Sequence, residues 1–402
     1  MTITDYENDE EIKIFREYLR IPSVHPNIDY EPCLTFIKKQ AETLDLTYNV
    51  YYPKNPKKPV VILTWTGSDS KLPSILLNSH MDVVPVFEEH WTHPPFAAEM
   101  DKDGKIFARG AQDMKCCATQ YLGAIRALKK TGFVPKRTVH LSFVPEEEIG
   151  GVEGMQEFVL SNDFKALNVG FALDEAIASA DEHFHLFYAE RSIWHVHFKI
   201  NGTPGHGLVL LPETAGQKAT RLMSKLMAFR ETQVKRLAED PKLLIGDVTT
   251  VNLTKMSGGV QCNVVPPQLV VTFDMRLALD VDHEVFENQL KQWCEEAGGN
   301  IEMEFQIKNP YVAPTKMDET NPYWNVFKST LDDLGLKVKP CIQPGATDIR
   351  FVRRVGIPAF GFMPINNTPL LLHDHDEFLE ASTYLKGITI YTKIIENLSN
   401  MN

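Results

Sequence analysis

Five short segments of the chain place histidine or carboxylate side chains at the end of an apolar segment. Imidazole nitrogens and carboxylate oxygens without thiolates suit zinc, with cobalt or manganese as substitutes. Two such cations about 3.5–4 Å apart lower the pKa of a water between them and make hydroxide available near neutral pH. The pattern therefore predicts a two-metal centre, and its candidate ligands are His80, Asp113, Glu148, Glu175 and His373.

His80 and Asp82 stand two residues apart after the apolar run 75–77, so their side chains can point to the same side. A neutral imidazole is a good zinc ligand, and a neighbouring carboxylate can fix its tautomer. We therefore expect Asp82 to orient His80. Such a pair alone is also typical of a protein surface, so the assignment depends on the other candidate ligands.

Asp113 begins a predicted helix over 113–130, where aspartate is also a favoured capping residue. A carboxylate has two oxygens and can bridge two cations, which a cap role does not require.

Glu146, Glu147 and Glu148 follow another apolar strand, and three adjacent carboxylates there need a compensating positive charge. A solvated loop is the alternative explanation. Neighbouring carboxylates can divide the work, one as a metal ligand and the next as a general base.

The elements that must hold these residues alternate between apolar strands and amphipathic helices. Strands are predicted over 60–65, 75–78, 138–144 and 169–173, and helices over 10–19, 32–46 and 113–130. Helices resume over 321–334 and 384–398. This order predicts an α/β fold, with a layered catalytic domain built on a mostly parallel sheet.

The central region has a different pattern. From Ser192 a strand alternates apolar and polar residues, and the order up to residue 307 is β-α-β-β-α-β, which is typical of a ferredoxin-like α+β unit. Because His373 lies beyond this region, the first domain is expected to be discontinuous. We predict a catalytic domain over 1–188 and 312–402, with residues 189–311 inserted between its parts.

Composition restricts the partners and the location. The formal net charge of −12 argues against a nucleic-acid or anionic-membrane partner. The acidic N-terminus lacks the apolar core of a secretory signal, and no apolar run reaches the roughly 20 residues that span a bilayer. The six cysteines are scattered without CxxC spacing, as in a reduced compartment. We expect a cytoplasmic protein.

Several longer stretches resemble the zinc aminoacylase/carboxypeptidase metallopeptidase family over nearly the whole chain, and most closely its cytosolic aminoacylases. They are 18–21 (YLRI), 74–80 (SILLNSH), 82–87 (DVVPVF), 109–116 (RGAQDMKC), 251–255 (VNLTK) and 371–377 (LLHDHDE). The resemblance implies a zinc exopeptidase-like catalytic domain with an inserted lid and dimerisation domain. It also implies hydrolysis of N-acyl-L-amino acids at two zinc ions per subunit.

The family resemblance implies a role for each candidate residue. Asp113 would bridge the two metals, His80 and Glu175 would be terminal ligands, and Glu148 and His373 would complete the set. Glu147 would be the general base. His206, in the segment Gly202–His206, would reach the active site of the partner subunit in a homodimer, where a histidine cation could stabilise an oxyanion.

Substrates of this family keep a free carboxylate, which needs a cationic anchor. Arg276 is the first candidate, because guanidinium binds carboxylate through two parallel hydrogen bonds. Asn263 resembles the family's amide donor, and Thr347 and Arg353 match a further substrate loop. His195 and His197 are interpreted as surface residues on the polar side of their strand.

Two alternatives remain open at this stage. A dipeptidase or carboxypeptidase of the same family would use the same metals, and a catalytically silent homologue would act as a binding protein. Met81 and Gly207 depart from the family pattern, and the added freedom at Gly207 could change how His206 is presented. Neither the preferred acyl group nor the preferred amino-acid side chain follows from the sequence.

Overall fold

Alternating strands and helices build two compact units. The computed structural model describes residues 2–401 of the chain. One unit contains the chain up to Tyr188, Pro314–Pro340 and the chain from Thr347 onward. The second contains Ala189–Ala313 and Cys341–Ala346.

Within residues 2–401 there are eleven α-helices, which we number in chain order: α1 Ile3–Asn8, α2 Glu10–Leu19, α3 Glu31–Thr43, α4 Lys115–Lys130, α5 Met155–Phe158, α6 Asn162–Ala166, α7 Ala215–Glu239, α8 His283–Glu296, α9 Pro322–Asp333, α10 Ile349–Arg354 and α11 Ala381–Asn400. The same residues contain seventeen strands: β1 Thr47–Tyr51, β2 Val60–Trp65, β3 Ser74–His80, β4 Glu99–Met100, β5 Lys105–Phe107, β6 Val139–Val144, β7 Val169–Asp174, β8 Phe184–Glu190, β9 Ser192–Asn201, β10 Gly205–His206, β11 Thr250–Gly258, β12 Val264–Val265, β13 Gln268–Leu277, β14 Ile301–Lys308, β15 Val338–Gln343, β16 Ala359–Phe362 and β17 Phe378–Glu380.

The largest sheet has the order β1-β2-β6-β3-β7-β16-β8-β15. Its central strands β6, β3, β7 and β16 run parallel, whereas β1, β2 and β8 pair antiparallel with their neighbours. Every residue of β3 and β6 is buried, as expected for parallel strands covered on both faces. Because parallel strands end on the same edge, the residues after β3, β6 and β7 meet there.

Helix α4 is buried along most of its length and packs on α11. The rings of Tyr121 and Tyr391 lie 4.6 Å apart, and the Tyr391 hydroxyl lies 3.2 Å from the Cys117 sulfur. Lys115, its first residue, is fully buried, and its ammonium donates to the carbonyl of Ile21. These contacts fix the start of α4, which directly follows the turn that carries Asp113.

The second unit contains a four-stranded antiparallel sheet in the order β11-β13-β9-β14. Burial alternates residue by residue along β9. Its apolar residues, Trp194, Val196, Phe198 and Ile200, share one core with residues of α7 and α8. The opposite side of the strand carries His195 and His197, so sheet and helices form two layers.

The predicted α/β fold with a large, mostly parallel sheet is confirmed. The predicted element boundaries differ by a few residues, and one difference matters: α4 begins at Lys115, so Asp113 lies in the preceding turn. All six cysteines are free thiols. Among the helices of residues 2–401, none has the length and apolar character to span a bilayer. The roles of the central region as an insertion, a lid and a dimerisation domain stay predictions.

Candidate metal centre

Three of the predicted ligands form a buried group, which we call the inner triad: His80, Asp113 and Glu175. His80 ends β3, and Glu175 directly follows β7 on the neighbouring strand. The His80 Nε2 atom lies 3.0 Å from Asp113 Oδ1 and 3.7 Å from Glu175 Oε2. Exposure is only 1% for His80 and 7% for each carboxylate. The three ligand atoms lie within 4.8 Å of one another, so that one ion can contact all of them.

Asp113 also belongs to a second group, the outer triad, together with Glu148 and His373. The His373 Nε2 atom lies 3.4 Å from Asp113 Oδ2 and 3.1 Å from Glu148 Oε2. The His373 side chain is 54% exposed, and its backbone is left-handed with φ of 61°. Asp113 thus turns one oxygen to each triad. Within residues 2–401, these are the two groups of three or more ligands that could hold a metal.

The tautomer of His80 fits a metal ligand. Its Nδ1 atom lies 2.9 Å from the backbone carbonyl of Asp82, which can only accept a hydrogen bond. Nδ1 must therefore donate, and a neutral ring then carries its lone pair on Nε2, facing two carboxylates. Oxygen and nitrogen lone pairs repel one another unless a proton or a cation lies between them. This donor set suits a divalent ion.

The pKa shifts of the ionisable groups around the two triads also favour a site for cations. Burial, followed by the charge of Asp113, raises the pKa of Glu175, and burial with the charge of Glu175 raises the pKa of Glu147. Hydrogen bonds with Asp113 and Glu148 raise the pKa of His373 to about 10. One buried oxygen of Glu148 has no hydrogen-bond partner in the described chain. A cluster of buried carboxylates of this kind is stabilised by cations.

The carboxylate of Asp82 holds the two glutamates in place. Its oxygens accept hydrogen bonds from the backbone N–H groups of Glu147 and Glu148, at 3.2 and 3.1 Å. A third donor, His25 Nε2, lies 2.7 Å away. The carboxylate is farther from His80, with Oδ1 at 3.7 Å from Nδ1. Asp82 therefore contacts His80 through the Asp82 backbone carbonyl. The Asp82 carboxylate instead holds the backbone of Glu147, the candidate general base.

Glu146 is separated from its two neighbours by a left-handed backbone conformation, with φ of 58°. Its carboxylate forms an ion pair with Lys58 and accepts hydrogen bonds from the backbone N–H groups of Glu153 and Gly154. The three adjacent glutamates thus have different tasks. Glu146 anchors the loop, whereas Glu148 belongs to the outer triad.

Glu377 is fully buried and holds the turn that carries Asp113. Its carboxylate accepts a hydrogen bond from Arg109 Nη1 at 2.7 Å. The backbone N–H groups of Gln112, Asp113 and Gly110 donate to it at 2.6, 3.2 and 3.3 Å. Neither His25 nor Arg109 was among the sequence-predicted residues. For Arg109 the available signal is its place at the start of the stretch 109–116, four residues before Asp113.

Of the predicted substrate residues, Thr347 and Arg353 lie in the first unit, and both are buried. The carbonyl of Thr347 accepts a hydrogen bond from Arg350 Nη1 at 2.6 Å. Arg353 donates through Nε to the carbonyl of Ala359 and through Nη2 to that of Phe187. At least part of the Arg353 guanidinium therefore supports the backbone.

His206 and Asn263 are neighbours on an exposed part of the second unit. His206 lies in β10, which pairs with β12 directly after Asn263, and the N–H of Gly207 donates to the carbonyl of Asn263 at 2.8 Å. The N–H of Leu208 donates to His206 Nδ1, so a neutral ring carries its proton on Nε2. A Cβ atom at Gly207 would meet Asn263 at an ordinary 3.5 Å, so alanine would also fit there.

Arg276, also in the second unit, forms an ion pair within its own strand. Its Nε and Nη2 atoms donate to Asp274 at 2.8 and 2.9 Å. The same carboxylate lies 2.9 Å from His195 Nε2. His195, interpreted from the sequence as a surface residue, is half-buried in this pair. The guanidinium fork predicted to bind substrate thus already faces a carboxylate.

Comparisons with known proteins add an independent line of observation. Residues 76–397 match Peptidase family M20/M25/M40. The chain is 47% identical to human Aminoacylase-1 over 98% of its own length and 97% of that protein. It is 41% identical to Aminoacylase-1 of Dictyostelium discoideum, over 98% of this chain and 99% of the relative.

Solved structures share the fold at much lower identity. An M20 family metallo-carboxypeptidase from Sulfolobus solfataricus superimposes with a TM-score of 0.75 at 20% identity, over 97% of this chain and 99% of that chain. A tripeptidase from Staphylococcus aureus gives a TM-score of 0.74 at 18% identity, over 97% of this chain and 98% of that chain. At such identities the likeness concerns the fold alone.

Proposed function

Because the chain belongs to Peptidase family M20/M25/M40 and is a hydrolase of the aminoacylase type, we propose that it hydrolyses N-acyl-L-amino acids at a two-zinc centre. The products are a carboxylate and a free L-amino acid. Membership of a metallopeptidase family implies a divalent ion. Zinc as its identity and two ions per chain are the finer parts of the proposal.

The observation that carries this proposal is the sharing of Asp113 between the inner and outer triads. Each triad has one imidazole and two carboxylates, and Asp113 turns a different oxygen to each. His80 and Glu175 would hold one ion, and Glu148 and His373 the other. A bound zinc pair supplies Lewis acidity, which lowers the pKa of water and polarises an amide carbonyl.

Glu147 is proposed as the general base, and the hydrogen bond from its backbone N–H to Asp82 supports this role. One carboxylate oxygen takes a proton from water as the oxygen of that water attacks the amide carbonyl. The same oxygen then returns the proton to the departing nitrogen. The amide C–N bond breaks, so one water and one amide give an acid and an amine.

His206 is proposed to stabilise the oxyanion in the active site of a partner subunit within a homodimer. Its exposure and its Nε2 proton, which faces away from the Leu208 hydrogen bond, support this role. Asn263 would donate its amide beside it. Both residues belong to the second unit, for which we keep the proposed roles of lid and dimerisation domain.

The substrate carboxylate is proposed to bind Arg276. Since Nε and Nη2 already contact Asp274, Nη1 is the atom that would contact the substrate. Asp274 keeps the guanidinium plane in one orientation, which lowers the entropy lost on binding. Thr347 and Arg353 are retained as further candidates, Thr347 for contact with the substrate and Arg353 mainly for support of the loop.

A substrate panel tests this function directly. The protein is stripped with a chelator, reconstituted with zinc and assayed on N-acetyl-L-methionine and on dipeptides that keep a free amine. We expect no turnover after stripping, recovery with zinc and a preference for the acylated substrate. A preference for dipeptides would favour a dipeptidase of the same family. Zinc binding without any hydrolysis would favour a silent homologue.

A further inference from the structure

Glu377 is a buried carboxylate that belongs to neither triad, although it lies four residues after His373. We propose that Glu377 is a positioning residue that sets the affinity of the outer triad for its metal ion. It would act through the turn that ends at Asp113, and through the segment that carries His373. The inference rests on the proposed function, since it assumes that both triads bind metal.

The contacts of Glu377 favour its ionised form, against burial, which raises the pKa of this carboxyl to about 7. Its two oxygens accept four hydrogen bonds, one from a guanidinium and three from backbone N–H groups. A protonated carboxyl would have to turn its O–H toward one of these donors. The partner that supplies the positive charge is Arg109, which is buried and lies over the ring of Trp91 at 5.3 Å. The ion pair thus holds its geometry without help from solvent.

This carboxylate controls where Asp113 lies. The N–H groups of Gly110, Gln112 and Asp113 all donate to it, so the turn is fixed at three points by one carboxylate. The hydrogen bond from the Asp113 N–H group fixes the backbone of this residue. Its side chain then points toward the other ligands of both triads. Loss of the acceptor would leave three buried N–H groups without a partner, and the turn would rearrange to satisfy them.

The same cluster connects the turn to the segment that bears His373. The N–H of Ala108 donates to the backbone carbonyl of Glu377 at 3.0 Å. The side-chain amide of Gln112 forms three hydrogen bonds to this segment, with the backbones of Pro369, Leu371 and Phe378. Two of the three residues of the outer triad therefore depend on one network.

The inner triad depends on it less. His80 ends a fully buried strand, and Glu175 follows the next strand of the same sheet. Only Asp113 is common to both triads. Removing the charge of Glu377 should therefore weaken the outer site more than the inner one. Residues that orient metal ligands typically change metal affinity by about 10–100-fold.

Zinc titration of the full-length chain tests this inference. Glu377→Gln keeps the size of the side chain and removes its charge. After chelator treatment, Zn²⁺ is titrated against a chromophoric competitor, and Co²⁺ spectra report the coordination of each ion. For the variant we expect the weaker zinc site, which we assign to the outer triad because its His373 is half exposed, to lose about 10–100-fold in affinity. The tighter site should change less, and the Co²⁺ spectrum of the weaker site should shift.

Glu11→Gln is the matched control. Glu11 also pairs with a buried arginine, Arg126, at 2.8 Å, and it lies outside both triads. A comparable loss of zinc affinity in this control would show that general destabilisation is responsible and would overturn the inference. Unchanged affinities and spectra in a folded Glu377→Gln protein would overturn it as well.

Arg109→Lys decides the matter if Glu377→Gln does not fold. It keeps the positive charge but loses the fixed geometry of the guanidinium. A selective loss at the weaker site supports the inference, and unchanged affinities overturn it. Wild-type protein that binds no divalent ion would overturn the proposed function together with this inference. Two bound ions that are insensitive to Glu377 would overturn only the inference.

Discussion

The inner and outer triads have the same composition but different surroundings. Both contain one histidine and two carboxylates and share Asp113. His80 of the inner triad is 1% exposed and ends a buried strand. His373 of the outer triad is 54% exposed and lies in a loop with a left-handed backbone. The chemistry of the two groups is alike, and the scaffold that orders them differs.

This difference indicates which site should hold its ion more firmly. Strand ends in a packed sheet cannot move without disrupting the core, so the inner ligands are ordered before metal binds. A loop histidine must be ordered by contacts outside its own segment, such as those of the Glu377 cluster. We therefore expect the inner site to be the tighter one and the outer site to exchange its ion more readily.

Asp113→Ala should have the largest effect, because it removes one ligand from each triad. We expect loss of both ions after dialysis, with no detectable turnover, as measured by metal analysis and by hydrolysis of N-acetyl-L-methionine. Asp374→Asn is the control, since this exposed neighbour of His373 contacts its own loop through the N–H of His375. Retention of both ions by Asp113→Ala would contradict the sharing of Asp113.

Glu147→Gln should leave both triads intact and still stop the reaction. An amide cannot take a proton from water, and general-base catalysis typically contributes about 10²–10⁴-fold. We expect kcat to fall by that factor with zinc content equal to wild type. Ordinary turnover in a zinc-loaded variant would remove Glu147 from the mechanism.

His373→Ala and His80→Ala compare the triads directly. The first should reduce bound zinc from roughly two ions to roughly one, because the inner triad keeps all its ligands. The second removes a buried ligand and should abolish the tighter site, which is measured by competition with a chelator of known affinity. If His373→Ala loses the tighter ion and His80→Ala loses the weaker one, the assignment of the tighter site to the inner triad is wrong.

The smallest predicted effect concerns the stability of the fold and His140, a buried histidine on the strand next to that of His80. The carboxylates around His80 outweigh its burial and raise its pKa, whereas burial lowers the pKa of His140 to about 4. His140 is neutral in the fold, with hydrogen bonds to Thr64 and to the carbonyl of Leu167. Its contribution to stability is complete above the unfolded pKa of about 6.5 and is lost as the pH falls toward 4.

The measurement is the free energy of unfolding of wild type and His140→Gln between pH 7 and pH 4. Wild type should lose about 3 kcal/mol more than the variant over this range, since each pKa unit corresponds to about 1.4 kcal/mol. Parallel curves for the two proteins would show that His140 does not titrate in this way.

Much of the candidate site can be predicted from the sequence, because each ligand lies at the end of an apolar segment or within one of the stretches that resemble the family. His80 and Glu175 follow strands whose parallel order brings their ends together. The residues that order these ligands are less visible: Asp82 and Glu377 stand close to a predicted ligand along the chain, but their hydrogen-bond partners cannot be read from the sequence. Glu377 acts on backbone N–H groups, and no property of its sequence position reveals which turn it contacts.

Two further details share one physical cause. The sequence predicts that Asp113 begins a helix, but its turn is stabilised by a partner more than 260 positions away. The polar side of its strand indicates that His195 is a surface residue, but a single strand does not show which side chain stands opposite it. In the sheet, β13 places Asp274 directly beside it. Long-range partners decide both cases, and local periodicity contains no information about them.

Anomalous diffraction from zinc-loaded crystals is the most direct test of the central claim that two ions share Asp113. We predict two peaks about 3.5–4 Å apart. One should lie between His80 and Glu175 and the other between Glu148 and His373, with one Asp113 oxygen on each. No peak at these residues, or a single ion that Asp113 does not contact, would contradict the account.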